Sequence, residues 1–76
     1  MEIQEFIEKF AEQFDDTEPE VFKPETKFRE LDEWSSLVAL SIIAMIDVEY
    51  DVTLKGSEMR QAETIQELFD IVQSKL

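Results

Sequence analysis

The chain has neither cysteine nor histidine among its 76 residues. The absence of cysteine excludes disulfides, thiolate metal sites and cysteine nucleophiles, and it suits a reducing cytoplasm. The absence of histidine removes the commonest general base and the commonest metal ligand. We therefore predict that the protein is not an enzyme, that it holds no metal ion and that it is cytoplasmic.

Basic residues are scarce as well: 7 Lys and Arg stand against 19 Asp and Glu, which leaves a net charge of -12. This charge repels nucleic acid and anionic lipid and favours encounter with basic protein surfaces. The longest apolar run, residues 37–46, is interrupted by Ser41 and is too short to span a membrane, and the N-terminal residues lack a signal-peptide pattern. We expect a monomer whose partners are proteins, with no nucleic acid and no membrane.

A chain of this length supports one hydrophobic core, so we predict a single domain over residues 1–76. Apolar residues recur at helical spacing over about residues 2–14 and 36–50 and again after Thr64. A short helix of one or two turns is predicted within residues 56–62, with Ser57 as a candidate N-cap. The predicted fold class is all-α: a four-helix bundle of three main helices and one short helix.

The last predicted helix has the clearest start signal in the chain. Thr64 stands three residues before Glu67, which is the pattern of a capping box. The apolar stripe that follows consists of Ile65, Leu68, Phe69, Val72 and Leu76.

The connection between the first two helices, residues 15–34, is long and contains both prolines. It also carries too much apolar surface for a free linker, and we therefore predict that it packs on the bundle. Its large apolar side chains are Val21, Phe22, Phe28, Leu31 and Trp34. The loop delivers Ser35 and Ser36 to the start of the second helix.

Ser36 is the candidate functional residue. At a helix N-terminus its hydroxyl is expected to be exposed, and the free N–H groups and the helix dipole there favour an attached phosphate. A serine at a helix start is, however, most often a cap worth about 1 kcal/mol. Capping alone would account for one of Ser35 and Ser36.

Two segments flank the second helix in a characteristic order. Residues 31–37 read Leu-Asp-Glu-Trp-Ser-Ser-Leu, and residues 47–54 read Asp-Val-Glu-Tyr-Asp-Val-Thr-Leu. This order resembles the acyl and peptidyl carrier protein family over essentially the whole chain. In that family a loop ending in Asp-Ser-Leu begins the second helix, and an acidic-aromatic run closes it before a short third helix. The resemblance implies an acyl carrier for fatty acid, polyketide or related acyl biosynthesis.

The resemblance also implies a cofactor and partners. Ser36 would carry a covalent 4'-phosphopantetheine arm, added by a phosphopantetheinyl transferase, whose thiol holds acyl groups as thioesters. Acyl-transferring and acyl-modifying enzymes would be the other partners. A carrier of this kind needs no cysteine or histidine of its own, because the reactive sulfur belongs to the prosthetic group.

The chain departs from the family at Ser35, where the family has Asp. The change removes a carboxylate that is expected to help the transferase's metal ion, and it offers a second hydroxyl. Because Leu37 matches the family's leucine, Ser36 stays in register and is preferred over Ser35 as the attachment site.

The chain also departs from the family on the outer face of the second helix, which is usually acidic. That face is expected to carry Val38, Ser41, Ala44, Met45 and Val48. Either partners dock on an apolar surface here, or the long loop simply buries this helix.

A slot between the second, third and last helices is a hypothesis for sheltering an acyl chain. Its lining would come from Ala39, Ile43, Ile46, Leu54, Met59, Ala62 and Ile65. The same residues would equally serve as the ordinary core of any four-helix bundle.

The alternative function is an acidic helical protein–protein interaction module without a prosthetic group. A carboxylate-based enzyme or a calcium protein has little support, because no acidic run has the spacing of an EF-hand loop. Asp32 and Glu33 are expected to be solvated loop charges.

Overall fold

The computed structural model describes residues 2–76, and within that range the protein has four α-helices and no β-strand. The predicted all-α class is confirmed. None of the helices in the described range is both long and apolar enough to cross a membrane. The helices are α1 (Ile3–Ala11), α2 (Ser36–Tyr50), α3 (Gly56–Gln61) and α4 (Ile65–Ser74), and two short 3₁₀ turns occupy Pro19–Val21 and Phe28–Glu30.

The core forms where the apolar faces of α1, α2 and α4 meet the long connection. Phe6 of α1 lies edge-on to Phe69 of α4, with ring centroids 5.5 Å apart. α1 and α4 each bury the side of the helix on which apolar residues recur. α2 has apolar residues on more than one side and buries Ile42, Met45 and Ile46. The large side chains without exposed surface are Phe6, Phe10, Phe28, Ile42, Ile46, Ile65, Leu68 and Val72.

α1 is shorter than the predicted span of residues 2–14. The α-helix ends at Ala11, and the N–H groups of Gln13 and Phe14 then bond to carbonyls three residues back, at 3.1 and 3.0 Å. The chain thus tightens into 3₁₀ geometry, as helix ends often do. Phe14 remains in the core with 6% of its surface exposed, so the apolar pattern predicted burial correctly and the helix end incorrectly.

α2 has the predicted bounds. It ends at Tyr50 because Asp51 adopts a left-handed conformation, with φ 56° and ψ 41°, while its N–H still bonds to the Asp47 carbonyl at 3.0 Å. Asp tolerates this conformation better than most residues with a side chain. The left-handed residue turns the chain out of the helix toward α3.

The short helix predicted within residues 56–62 is present as α3, but the prediction that Ser57 is its N-cap is wrong. Lys55 is the N-cap, and the Glu58 carboxylate accepts a hydrogen bond from the Lys55 backbone N–H at 2.9 Å. The helix can therefore begin at Gly56 without a serine cap, because Glu58 satisfies the free N–H from inside the first turn. The Ser57 side chain is exposed.

The predicted capping box of α4 is confirmed. The Thr64 hydroxyl accepts from the Glu67 N–H at 3.1 Å, and the Glu67 carboxylate accepts from the Thr64 N–H at 3.2 Å. The prediction that Leu76 belongs to the buried stripe is wrong. The helix ends at Ser74, and Leu76 is 63% exposed.

A Thr64→Ala variant is expected to lower the free energy of unfolding by about 1 kcal/mol, because it leaves the first turn of α4 without its side-chain acceptor. Urea denaturation measures this change directly. Ser57→Ala is the matched control and should stay within about 0.5 kcal/mol of wild type, since Ser57 caps nothing. Equal losses in both variants would contradict the assignment of the two caps.

The connection between α1 and α2 packs on the bundle, as predicted. Phe28 has no exposed surface and Phe22 only 6%, while Trp34 is half-buried. Val21 is the exception, because 41% of its surface remains exposed. The loop therefore contributes its own aromatic side chains to the core.

The same loop also completes the N-terminus of α4. The Ile65 N–H donates to the Thr26 carbonyl at 3.1 Å, and the Gln66 N–H donates to the Pro24 carbonyl at 2.9 Å. These N–H groups belong to the first turn of α4 and have no acceptor within the helix. The loop is thereby anchored at its middle, upstream of the two serines.

Candidate functional site

The two adjacent serines at the start of α2 have different environments. Ser35 is the N-cap: its backbone is extended, and its Oγ accepts from the Val38 N–H at 3.2 Å. Ser36 is the first residue of the helix, its side chain is exposed, and its hydroxyl forms no hydrogen bond with any of residues 2–76. Capping thus engages Ser35 and leaves the Ser36 hydroxyl accessible for chemistry.

The electrostatic setting of Ser36 favours an anion. The N–H groups of Ser36 and Leu37 belong to the first turn of α2 and have no acceptor within the helix. The helix dipole places partial positive charge at this end. No acidic residue lies in the first turn, so a phosphate ester on Ser36 would meet hydrogen-bond donors and no carboxylate from that turn.

A groove of about 560 Å³ opens beside Ser36. One wall comes from α2, the second from α3, and the third from the end of the long loop. Two cationic side chains, Arg29 and Arg60, contribute to its lining. Its apolar surface is provided by Trp34, Ala39, Leu40, Ile43 and Met59.

The seven residues predicted to line a slot are divided between this groove and the core. Ala39, Ile43 and Met59 line the groove. The other four predicted residues have at most 3% of their surface exposed and do not line it: Ile46, Leu54, Ala62 and Ile65. Helical periodicity could not separate the two sets, because which part of an apolar face stays open depends on how α3 and the loop dock.

Sequence reasoning missed several residues that line the groove. Trp34 was predicted only to pack in the loop, and Leu40 had no predicted role. Arg29 and Arg60 come from opposite halves of the chain and have no local pattern that would connect them. Only their positions in the fold bring the two guanidinium groups to one groove.

Glu33 is not the solvated loop charge that the sequence suggested. Its carboxylate accepts hydrogen bonds from the Asp15 N–H at 2.6 Å, the Asp16 N–H at 3.0 Å and the Thr17 hydroxyl at 2.7 Å. These bonds, that from Thr17 above all, lower the pKa of Glu33. They fasten the segment just before the two serines to residues 15–17, which follow α1.

The free energy of unfolding is expected to fall in acid, because several carboxylates of the folded protein accept hydrogen bonds that favour their charged form. Hydrogen bonds lower the pKa of three carboxyl groups, those of Glu33, Glu58 and Glu67. The main donor is the Lys75 side chain for Glu58 and the Glu63 N–H for Glu67. A group whose pKa is lower in the folded state stabilises the fold above its unfolded pKa, near 4.5, and ceases to do so as pH falls through the folded value. The free energy of unfolding should therefore decrease steadily below about pH 5.

A Thr17→Val variant tests the contribution of the Glu33 cluster. It removes the hydroxyl donor that contributes most to lowering the pKa of Glu33, so we expect lower stability at neutral pH and a smaller further loss in acid, measured by urea denaturation across the pH range. Asp32→Asn is the matched control, because Asp32 is adjacent but makes no hydrogen bond among residues 2–76. An acid profile for Thr17→Val identical to that of wild type would contradict the role of this cluster.

The outer face of α2 carries exposed apolar side chains. Leu37 is 74% exposed, Leu40 is 63% exposed and Val48 is 80% exposed, and these residues are spaced so that they lie along one side of the helix. The prediction that Met45 belongs to this outer face is wrong, because only 8% of its surface is exposed. The long loop therefore leaves part of the apolar surface of α2 uncovered.

The start of α2 thus combines an accessible hydroxyl at a helix N-terminus with an adjoining groove that is largely apolar and carries two arginines. An uncovered apolar helix face begins at the same place. Comparisons of the chain with protein-family models, with curated proteins and with solved structures found no match.

Proposed function

We propose that the protein is an acyl carrier protein with a covalent 4'-phosphopantetheine arm on Ser36. The observation that carries this proposal is the division of roles at the start of α2, where Ser35 caps the helix and the Ser36 hydroxyl stays accessible beside a groove. The resemblance of residues 31–37 and 47–54 to the carrier family supports the same residue.

The surroundings of Ser36 suit such an arm. The N–H groups at the α2 terminus are donors for the phosphodiester. The groove is within the size range of small-molecule sites and is largely apolar, so it can take the aliphatic parts of the arm or of a short acyl chain. The arm supplies the thiol that forms thioesters, and this chain supplies the attachment point and the surface that partners bind.

Loading transfers the phosphopantetheinyl group from coenzyme A. The bond between Ser36 Oγ and phosphorus forms, the phosphorus–oxygen bond of the pyrophosphate breaks, and adenosine 3',5'-bisphosphate leaves. The hydroxyl proton passes to a base on the transferase, because this chain has no histidine or cysteine to accept it. Ser36 itself has only to be accessible and correctly oriented.

The proposed partners are the phosphopantetheinyl transferase and cytoplasmic enzymes that transfer or modify acyl groups. A net charge of -12 draws basic protein surfaces toward the domain and raises the rate of encounter. Leu37 and Leu40 are exposed close to Ser36 and would then provide apolar contact in the docked complex.

Intact-mass spectrometry tests the proposal. The folded protein is incubated with coenzyme A, magnesium and a broad-specificity phosphopantetheinyl transferase. We expect one phosphopantetheine adduct per chain, and dithiothreitol should not remove it, because the linkage is a phosphodiester. No adduct with any of several transferases, on protein shown by circular dichroism to be helical, would overturn the proposal.

The second candidate function is an interaction module without a prosthetic group, and the exposed side chains of Leu37, Leu40 and Val48 favour it. Such a module would bind its partner through α2 alone. Ser36→Ala separates the two functions, because it removes the attachment point of a carrier but leaves the apolar face of α2 intact.

A further inference from the structure

The chain has seven basic residues, and only two of them are arginines. Both arginines line the groove beside Ser36: Arg29 comes from the long loop and Arg60 from α3. The groove is otherwise largely apolar. Guanidinium groups suit the recognition of carboxylates and phosphates because their N–H donors form a planar fork.

Neither arginine forms a salt bridge within residues 2–76, although the chain has 19 acidic residues. The salt bridges in this part of the chain involve Lys9 and Lys75. The charge of Arg29 does contribute to lowering the pKa of Glu67, but no carboxylate pairs with it directly. Two guanidinium groups therefore remain available at the groove in a strongly acidic protein.

Each arginine is oriented by the surrounding structure. One guanidinium nitrogen of Arg29 donates to the Ala62 carbonyl at 2.8 Å, which leaves its other N–H groups available. Nη1 of Arg60 lies 3.6 Å from the place where a Cβ on Gly56 would be, so the Arg60 side chain folds back over the start of α3. Gly56 itself lines the groove.

We propose that the groove binds an amphiphilic anion. The apolar part of this ligand lies against Trp34, Ile43 and Met59, and its oxyanion contacts Arg29 and Arg60. The inference deepens the proposed function and rests on it for the source of the anion. In a carrier, that anion is either a carboxylate at the far end of the acyl group or the phosphodiester of the arm.

The expected preference for an anion is modest, because both arginines are exposed and water screens their charge. Contacts of this kind are expected to strengthen binding by roughly three- to tenfold relative to an uncharged ligand of the same length. The effect should shrink as salt is added. A preference for the anion over the uncharged ligand is informative, because the net charge of -12 would by itself disfavour any anion.

Trp34 is the only tryptophan in the chain and lines the groove, so its fluorescence reports on binding. The unmodified protein is titrated with octanoate and, in parallel, with octanol. We expect both to change the emission of Trp34 and octanoate to bind more tightly. Equal affinity for the two ligands, or no response to either, would overturn the inference.

Two variants test the arginines. Arg60→Gln and Arg29→Gln should each reduce the preference for octanoate while leaving octanol binding unchanged. If Arg29→Gln is destabilised because it loses the hydrogen bond to the Ala62 carbonyl, the Arg60→Gln variant decides the test. Lys55→Gln removes the same charge next to α3 but outside the groove lining, and it should keep the wild-type preference. If Lys55→Gln behaves like Arg60→Gln, only net charge matters and the inference is wrong.

Titration of protein modified with 4'-phosphopantetheine distinguishes the two sources of the anion, the phosphodiester of the arm and the carboxylate of an acyl group. If the phosphodiester occupies the arginines, octanoate binds more weakly to the modified protein than to the unmodified one. If the carboxylate of an acyl group occupies them, both forms bind octanoate equally. Failure of the modification itself would overturn the proposed carrier function and not this inference, because the titration of unmodified protein still decides it.

Discussion

A Ser36→Ala variant is expected to gain no phosphopantetheine adduct under conditions in which the wild-type chain is fully modified. The loss should be complete and not partial, because the variant lacks the oxygen that forms the bond to phosphorus. Folding should be unaffected: the Ser36 hydroxyl makes no hydrogen bond within residues 2–76, and alanine favours a helix. Intact-mass spectrometry measures the adduct and circular dichroism the fold.

Ser35→Ala is the control for this prediction. The variant retains Ser36 and should be modified, although it loses the bond from Val38 and with it about 1 kcal/mol of stability. Ser35→Asp keeps a capping side chain and restores the residue that the resemblance to carrier proteins implies, so its modification should be at least as fast as that of wild type. An adduct on Ser36→Ala, or its absence from Ser35→Asp, would contradict the choice of Ser36.

The second large effect is expected for Phe28→Ala, which should lower the free energy of unfolding by about 3–5 kcal/mol. Phe28 has no exposed surface, and its ring centroid lies 5.5 Å from that of Phe10 and 5.1 Å from that of Trp34. Domains of this size have only about 5–10 kcal/mol in total, so the variant should unfold at much lower urea concentration. Urea denaturation followed by circular dichroism measures the loss.

Val21→Ala is the matched control, because Val21 lies in the same loop but is 41% exposed. Its effect should stay within about 0.5 kcal/mol. A similar loss of stability in the two variants would show that the loop does not contribute to the core in the way its burial indicates.

Phe28→Ala should also slow the modification of Ser36, since Phe28 packs on Trp34 at the edge of the groove.

Much of the fold was predictable because helices depend on interactions between residues a few positions apart. The bounds of α2 and the capping box formed by Thr64 and Glu67 came directly from such local patterns. The aromatic residues Phe22 and Phe28 of the long loop are buried as their apolar character indicated. The position of the candidate serines at a helix start was predictable for the same reason.

The predictions that failed concern residues whose local sequence allows more than one capping arrangement or helix end, and residues whose hydrogen-bond partners are distant in the sequence. Ser57 had the right residue type for a cap, but the Glu58 carboxylate satisfies the Lys55 N–H and the helix starts earlier. Glu33 looked like a solvated charge because its three donors lie 16 to 18 positions away. Leu76 continued an apolar stripe beyond the end of its helix.

The sequence by itself determined the helical class, the start of α2 at Ser36 and the acidic character of the protein, because these follow from composition and from contacts within one or two helical turns. Only the tertiary structure decided that Ser35 is the cap, which apolar residues of α2 remain uncovered, and that a groove opens beside Ser36. Arg29 and Arg60 lie 31 positions apart. They line one groove because the loop and α3 both dock against α2, and no local pattern encodes how those surfaces meet.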